Sequence, residues 1–188
     1  MPYLQVKLVK VFRGRSPSIV GGDGLFIVGA FVVGTGDEQV TKSVRTRPVP
    51  IFPHPATDAT VSFDPGEAAL FEHDVAADSS LHLALSAWHE HREERGVDPA
   101  QALAQLNKDL EPPIVPMPVV GGTEPTPEPP MSVILVDRIT HAFHMNMLLG
   151  TLSLDMPVSH IQAEDERTWR ISEPGWEYTI TYVLSHTP

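Results

Sequence analysis

Apolar residues recur at every second position through much of this chain, and that period selects strands over helices. In Leu81-His82-Leu83-Ala84-Leu85-Ser86-Ala87-Trp88-His89, the three leucines and Ala87 share one face, which continues in register through His89 and His91. Near the C-terminus Trp176, Tyr178, Ile180, Tyr182 and Leu184 alternate with Glu177, Thr179, Thr181 and Ser185. Leu4-Gln5-Val6-Lys7-Leu8 shows the same pattern on a shorter scale. Residues 24–34 are different: continuously apolar, rich in β-branched side chains and bounded by glycines. That composition marks a strand buried on both faces, with Gly29 a bulge or a point of close approach. Residues 40–47 alternate weakly and run into Pro48, Pro50, Pro53 and Pro55, as an edge strand does. Residues 60–63 and 69–71 read as short strands separated by the turn tripeptide Asp64-Pro65-Gly66. Residues 150–156 and 167–171 complete a set of eight or nine strands.

One helix interrupts this pattern, at residues 98–110. Asp98 is its N-cap, Pro99 occupies the first helical position and Gln101 the third. Ala102, Leu103, Leu106 and Leu110 form its apolar stripe. Residues 112–130 hold many of the 19 prolines and form an extended loop rather than a packed element. The 58 residues after it are too few for a comfortable second core, so residues 1–188 are expected to form a single domain. Residues 133–149 fit either a strand and loop or a helix using Val136, Ile139, Phe143 and Met147. The fold class expected is an all-β antiparallel sandwich of about eight strands, with one inserted helix and a long proline-rich loop.

Charge and cysteine content narrow the function. Lys and Arg number 13 against 24 Asp and Glu, a net charge of −11. That excess opposes the phosphates of nucleic acid and the headgroups of anionic lipid, so neither is an expected partner. With no cysteine the chain has no disulfide, no thiolate metal site and no cysteine nucleophile. Lys7 and Lys10 interrupt the opening residues, leaving no signal-peptide core, and the longest apolar stretch is far short of a membrane span. A soluble, cytoplasmic protein is expected.

Three segments, in order, resemble the C2 domain, an eight-stranded sandwich. Gly22-Asp23-Gly24-Leu25-Phe26-Ile27 is similar to that family's loop-to-strand entry, and Leu83 to His91 to its strand leading into a calcium-binding loop. Asn146-Met147-Leu148-Leu149-Gly150-Thr151-Leu152-Ser153-Leu154 resembles a third strand entry, and the C-terminal strand falls in the expected place. The resemblance implies a sandwich used for binding. It does not carry the family's calcium ligands across. Asp23 is retained, but His89 and His91 stand at two loop aspartates, and Asn146 and Met147 replace an acidic pair. Calcium prefers six to eight oxygen ligands, so calcium-dependent membrane docking is not expected.

His89 and His91 lie two apart on a strand end, so both imidazoles leave one face about 7 Å apart. With Asp23 they make a candidate set for zinc, nickel or iron; the alternative is a solvated loop running into Arg92-Glu93-Glu94-Arg95. His141 and His144, near Met145 and Met147, make a softer set suited to copper, or else apolar filling of a core gap. Glu72-His73-Asp74 with Asp78 suggests general-base chemistry but has no nucleophile elbow beside it. Gly21-Gly22-Asp23-Gly24 lacks the Lys-Ser/Thr and the following helix of a phosphate cradle. Glu164-Asp165-Glu166 reads as a solvated turn. The expectation is a non-enzymatic binding or assembly module acting through protein contacts or self-association, with the edge strand near Val40–Arg47 and the long aromatic C-terminal strand as the segments that could support self-association. A His/Asp metal site is the alternative, with a metal-dependent hydrolase behind it. Apart from that metal, no cofactor is expected.

Overall fold

The computed structural model describes residues 2–15, 24–35, 38–50, 59–63, 68–90, 98–111, 129–144, 146–173 and 176–187. The strands are β1 (Tyr3–Arg15), β2 (Gly24–Thr35), β3 (Glu38–Arg45), β4 (Val49–Pro50), β5 (Ala59–Ser62), β6 (Ala69–Asp74), β7 (Ser80–Glu90), β8 (Met147–Pro157), β9 (Asp165–Glu173) and β10 (Trp176–Thr187). Two helices, α1 (Pro99–Leu110) and α2 (Met131–Ala142), lie between β7 and β8 in the chain. One antiparallel sheet has the order β5-β1-β10-β9, with β6 also on β1; the other has the order β3-β2-β7-β8, with β4 also on β2.

The period-two pattern accounts for the layer between the sheets. Leu4, Val6 and Leu8 of β1 and Ile180, Tyr182 and Leu184 of β10 meet Leu25, Ile27, Phe31 and Val33 of β2 and Leu81, Leu83 and Leu85 of β7. All are buried. The continuous apolar run of β2 has a second cause: its other face is covered as well. Phe26, Val28, Ala30 and Val32, with Ala84 and Trp88 of β7, pack under Ala102, Leu106 and Leu110 of α1 and Leu135, Ile139 and Phe143 of α2 and the turn after it. The molecule therefore has three layers: sheet, sheet and helices. Gly29 is a close approach and not a bulge, since the β2 register runs on without a shift. A Cβ there would stand 2.8 Å from Phe31 Cε2 and 3.2 Å from Leu85 Cδ2.

Local chemistry starts α1 where the sequence indicates. The Asp98 side chain accepts the Ala100 amide at 3.0 Å, filling one of the vacant positions at the helix start. Residues 133–149 resolve into most of α2 followed by the start of β8. The helix buries Ser132, Leu135, Ile139 and Ala142, a stripe offset from the one expected, and Met147 belongs to the strand.

Strand neighbours are set by long-range pairing. The short strands before and after Asp64-Pro65-Gly66 both pair with β1. β5 pairs with Lys10–Arg13 and β6 with Tyr3–Lys7, so they lie end to end along one side of β1. The C-terminal strand, expected to offer itself for self-association, is interior: β10 pairs with β1 on one side and β9 on the other. Its backbone groups are used within the sheet. The edge expected at residues 40–47 is found as β3. Between β3 and β4, Thr46 stays bonded to β2, its amide donating to Ile27 O and its hydroxyl accepting from Ile27 N, both at 2.9 Å.

Candidate functional site

Asp23 and His91 lie outside the described residues, as do Met145, the Gly21-Gly22-Asp23 loop and residues 112–128 of the proline-rich segment. His89 is 4% exposed, opposite Leu25 of β2 and Met147 of β8, and follows Leu85 and Ala87 onto the face between the sheets. The last pair of the β2–β7 ladder is Gly24–Glu90. Among the described residues no three His, Asp or Glu side chains gather as a metal set.

The other candidates are dispersed. His141 and His144 are exposed, and His144 Nδ1 lies 2.7 Å from the His141 carbonyl oxygen at the end of α2. Phe143 between them fills the core, its ring centroid 6.0 Å from Trp88 and 6.1 Å from Phe26. On β6, Glu72, His73 and Asp74 are exposed, and Glu72 accepts a hydrogen bond from Gln5. Asp165 and Glu166 belong to β9 rather than to a turn, and Asp165 is held by Arg167 at 2.7 and 3.0 Å. A cavity of about 410 Å³ on the sheet of β1 is lined by Lys7, Val9, Phe63, Ala68, Glu164 and Val183, among others. It brings one cation and one carboxylate to a largely apolar wall.

The sheet edges offer a clearer signal. An edge strand presents a row of N–H and C=O groups to any incoming strand, and proteins suppress that pairing with charge, brevity or cover. β9 carries Asp165, Glu166, Arg167, Arg170 and Glu173 in nine residues. β3 carries Glu38, Lys42 and Arg45, and α1 is tied to it by a 2.6 Å hydrogen bond from Ser43 Oγ to Asn107 Oδ1. β6 bears Glu72 and Asp74, and β5 has four residues. β8 differs among the described residues mainly in charge: its one charged side chain, Asp155, faces the helix layer, and a register shift against β7 between Ala87 and Trp88 marks a bulge near Leu149. It is 11 residues long, ends its sheet, and carries no charge from Met147 to Leu154. Met147 and Leu148 are each 37% exposed. Among the described residues only β7 pairs with it.

The single charge on β8 is turned away from the edge. Asp155 stands opposite His82 of β7, whose Nδ1 is 2.5 Å from Asp155 Oδ1. The same oxygen accepts the Ser132 amide at 3.1 Å, and the other oxygen accepts the Ser132 hydroxyl. The N-cap residue Pro130 has no side-chain acceptor, so a carboxylate from β8 caps α2 and complements its dipole. Partial burial by itself would raise the Asp155 carboxyl; hydrogen bonds from Ser132 and His82 outweigh it and hold the group below the usual carboxylate value. A carboxylate with a depressed folded pKa contributes stability above its unfolded value of about 3.9, lost as pH falls through the folded pKa. Asp155→Ala is expected to cost about 0.5–2 kcal/mol at pH 7 in urea unfolding, as lost caps do. The gap between variant and wild type should narrow below about pH 4; a gap unchanged there would contradict the assignment.

Sequence reading missed this edge because residues 133–149 were ambiguous, which concealed where β8 begins. The available signal was the uncharged run from Met147 to Leu154.

No family model matches the chain, and no curated protein matches it. Among solved structures it is similar to one described as "Structure of Drosophila C2-DSL-EGF1", at 9% identity and a TM-score of 0.42, over 100% of this chain and 68% of that one. No described helix is long and apolar enough to cross a membrane.

Proposed function

We propose that this protein is a non-enzymatic, C2-like assembly module of the cytoplasm that makes protein contacts through the outer edge of β8. The observation that carries the reading is a contrast in charge among the edges of the described residues: β3, β6 and β9 carry charged side chains and β5 is short, whereas β8 is long and uncharged over Met147–Leu154. An extended segment added to such an edge gains main-chain hydrogen bonds, and alternate side chains give selectivity. The exposed Met147 and Leu148 supply apolar area beside the backbone groups. The net charge of −11 supports a protein partner over nucleic acid or anionic membrane.

A photo-crosslinking amino acid placed at position 148, in the cell that makes the protein, tests this. Protein adducts are expected from position 148 and not from position 168 on the charged β9 edge. Equal labelling from both positions, or none from 148, would overturn the reading.

A further inference from the structure

We infer that the cavity on the outer face of the first sheet binds a short apolar peptide with free termini, its carboxylate meeting Lys7 and its ammonium meeting Glu164. The site is separate from the β8 edge, and neither reading depends on the other. The cavity holds about 410 Å³, within the range of roughly 300–1,000 Å³ usual for small-ligand sites. Two β-bulges meet there. β1 slips against β10 between Leu8 and Lys10, leaving Val9 as the extra residue, and β6 slips against β1 between Val6 and Lys7, leaving Leu70. A bulge bends its strand and re-aims its side chains, and bulges recur beside functional sites. They fall where β5 and β6 part along β1, and the Phe63 amide donates to Val9 O at 3.1 Å across that break.

The lining specifies the chemistry of the ligand. Val9, Phe63 and Val183 supply apolar surface. Lys7 is half-buried, and Glu164, the residue before β9, is exposed on the far side. Among the described residues neither has an ion-pair partner. Glu72, the outward carboxylate of β6, accepts from Gln5 instead. A half-buried ammonium without a counter-charge favours an anionic group within reach. β10 lies between the two charges, since Val183 pairs with Lys7 on one side and Glu166 on the other. Two strand spacings set the flanking backbones about 9–10 Å apart. Two or three extended residues span that distance at roughly 3.3–3.6 Å each. A single amino acid is too short to reach both charges, and a fatty acid would lay its chain against Glu164. A zwitterionic peptide has no net charge, so the −11 of the protein does not oppose its approach.

Titration of the isotope-labelled full chain with the tripeptide Ala-Leu-Ala, followed by amide NMR, tests this. Saturable shifts are expected at Lys7 to Lys10, at Val183 to Ser185 and at Glu164, and not along β8. The C-amidated peptide should bind about tenfold more weakly, through loss of the half-buried Lys7 contact, and the N-acetylated peptide a few-fold more weakly, at the exposed Glu164. Lys7→Gln should erase the preference for a free carboxylate and keep that for a free ammonium; Glu164→Gln should do the converse. Circular dichroism establishes that both variants fold. A merely structural role would weaken all three peptide forms by one factor. Octanoate, with one charge and an apolar chain, is the competing probe. Octanoate binding that equals or exceeds the peptide's, and needs Lys7 but not Glu164, would overturn the inference. So would an absence of saturable shifts at the cavity, or an equal loss of every peptide form in both variants. None of these outcomes bears on crosslinking from position 148, which belongs to the other sheet.

Discussion

Replacing Trp88 with alanine is expected to lower stability by about 3–5 kcal/mol, the usual cost of removing a large buried aromatic ring. Trp88 is 1% exposed and lies on the face of β7 that the helices cover. Its ring packs on Phe143, which also meets Phe26, so one side chain joins β7, β2 and the end of α2. Truncation leaves a cavity under α2 that the sheet below cannot fill, because β-sheet spacing holds its backbone in place. For a chain of this length each kcal/mol shifts the thermal midpoint by about 2–4 °C, so a drop of roughly 6–20 °C is expected by calorimetry. Trp88→Phe separates packing from hydrogen bonding. The indole Nε1 is buried without a hydrogen-bond partner among the described residues, so phenylalanine removes an unsatisfied donor while keeping most of the ring. It should cost well under half as much as alanine. Equal losses in the two variants would mean that the indole N–H, and not the ring, is the stabilising group.

Gly34→Ala should be the most damaging change of a small residue. Gly34 has φ of +139°, in the region that side chains avoid, and a Cβ there would lie 2.0 Å from the Glu38 carbonyl oxygen. Gly34 pairs with Gln39 next to Thr35–Glu38, where β2 turns into β3. The methyl group meets backbone rather than a movable side chain, so the end of the hairpin must open. Backbone strain alone costs about 1–3 kcal/mol, and the clash adds to it. The expected readouts are a lowered urea midpoint and faster amide exchange at Gln39 to Thr41. Gly14→Ala is the control: its tightest contacts would be the Glu177 carboxylate, at 3.2 Å, which can swing aside, and Glu177 Cβ at an ordinary 3.5 Å. If both variants lose the same stability, the strain assigned to Gly34 is wrong.

Much of the local structure was legible in the sequence. Alternation at Leu81 to Ala87 and at Tyr178 to Leu184 reports which side chains face the core, because successive side chains leave a strand on opposite sides. Asp98 and Pro99 announce α1 because capping is decided within one turn. Double burial of residues 24–34 was equally plain. What covered the second face was not, since half of α2 lay in an ambiguous stretch.

The candidate site was less legible for a different reason. His89 attracted attention as a ligand type, yet at 4% exposure it sits between Leu25 and Met147, a placement set by long-range pairing. Asp155 and Ser132 are 23 residues apart, and no local pattern joins them; they meet because α2 returns over the sheet to the far end of β8. The sequence by itself determined which residues form strands, which faces are apolar and that −11 charges must be accommodated. Only the tertiary structure decided strand neighbours: β10 enclosed, β5 and β6 end to end, β8 at the edge. The physical reason is that a strand's periodicity specifies its faces, whereas its edges are satisfied by whichever distant segment the whole chain brings alongside.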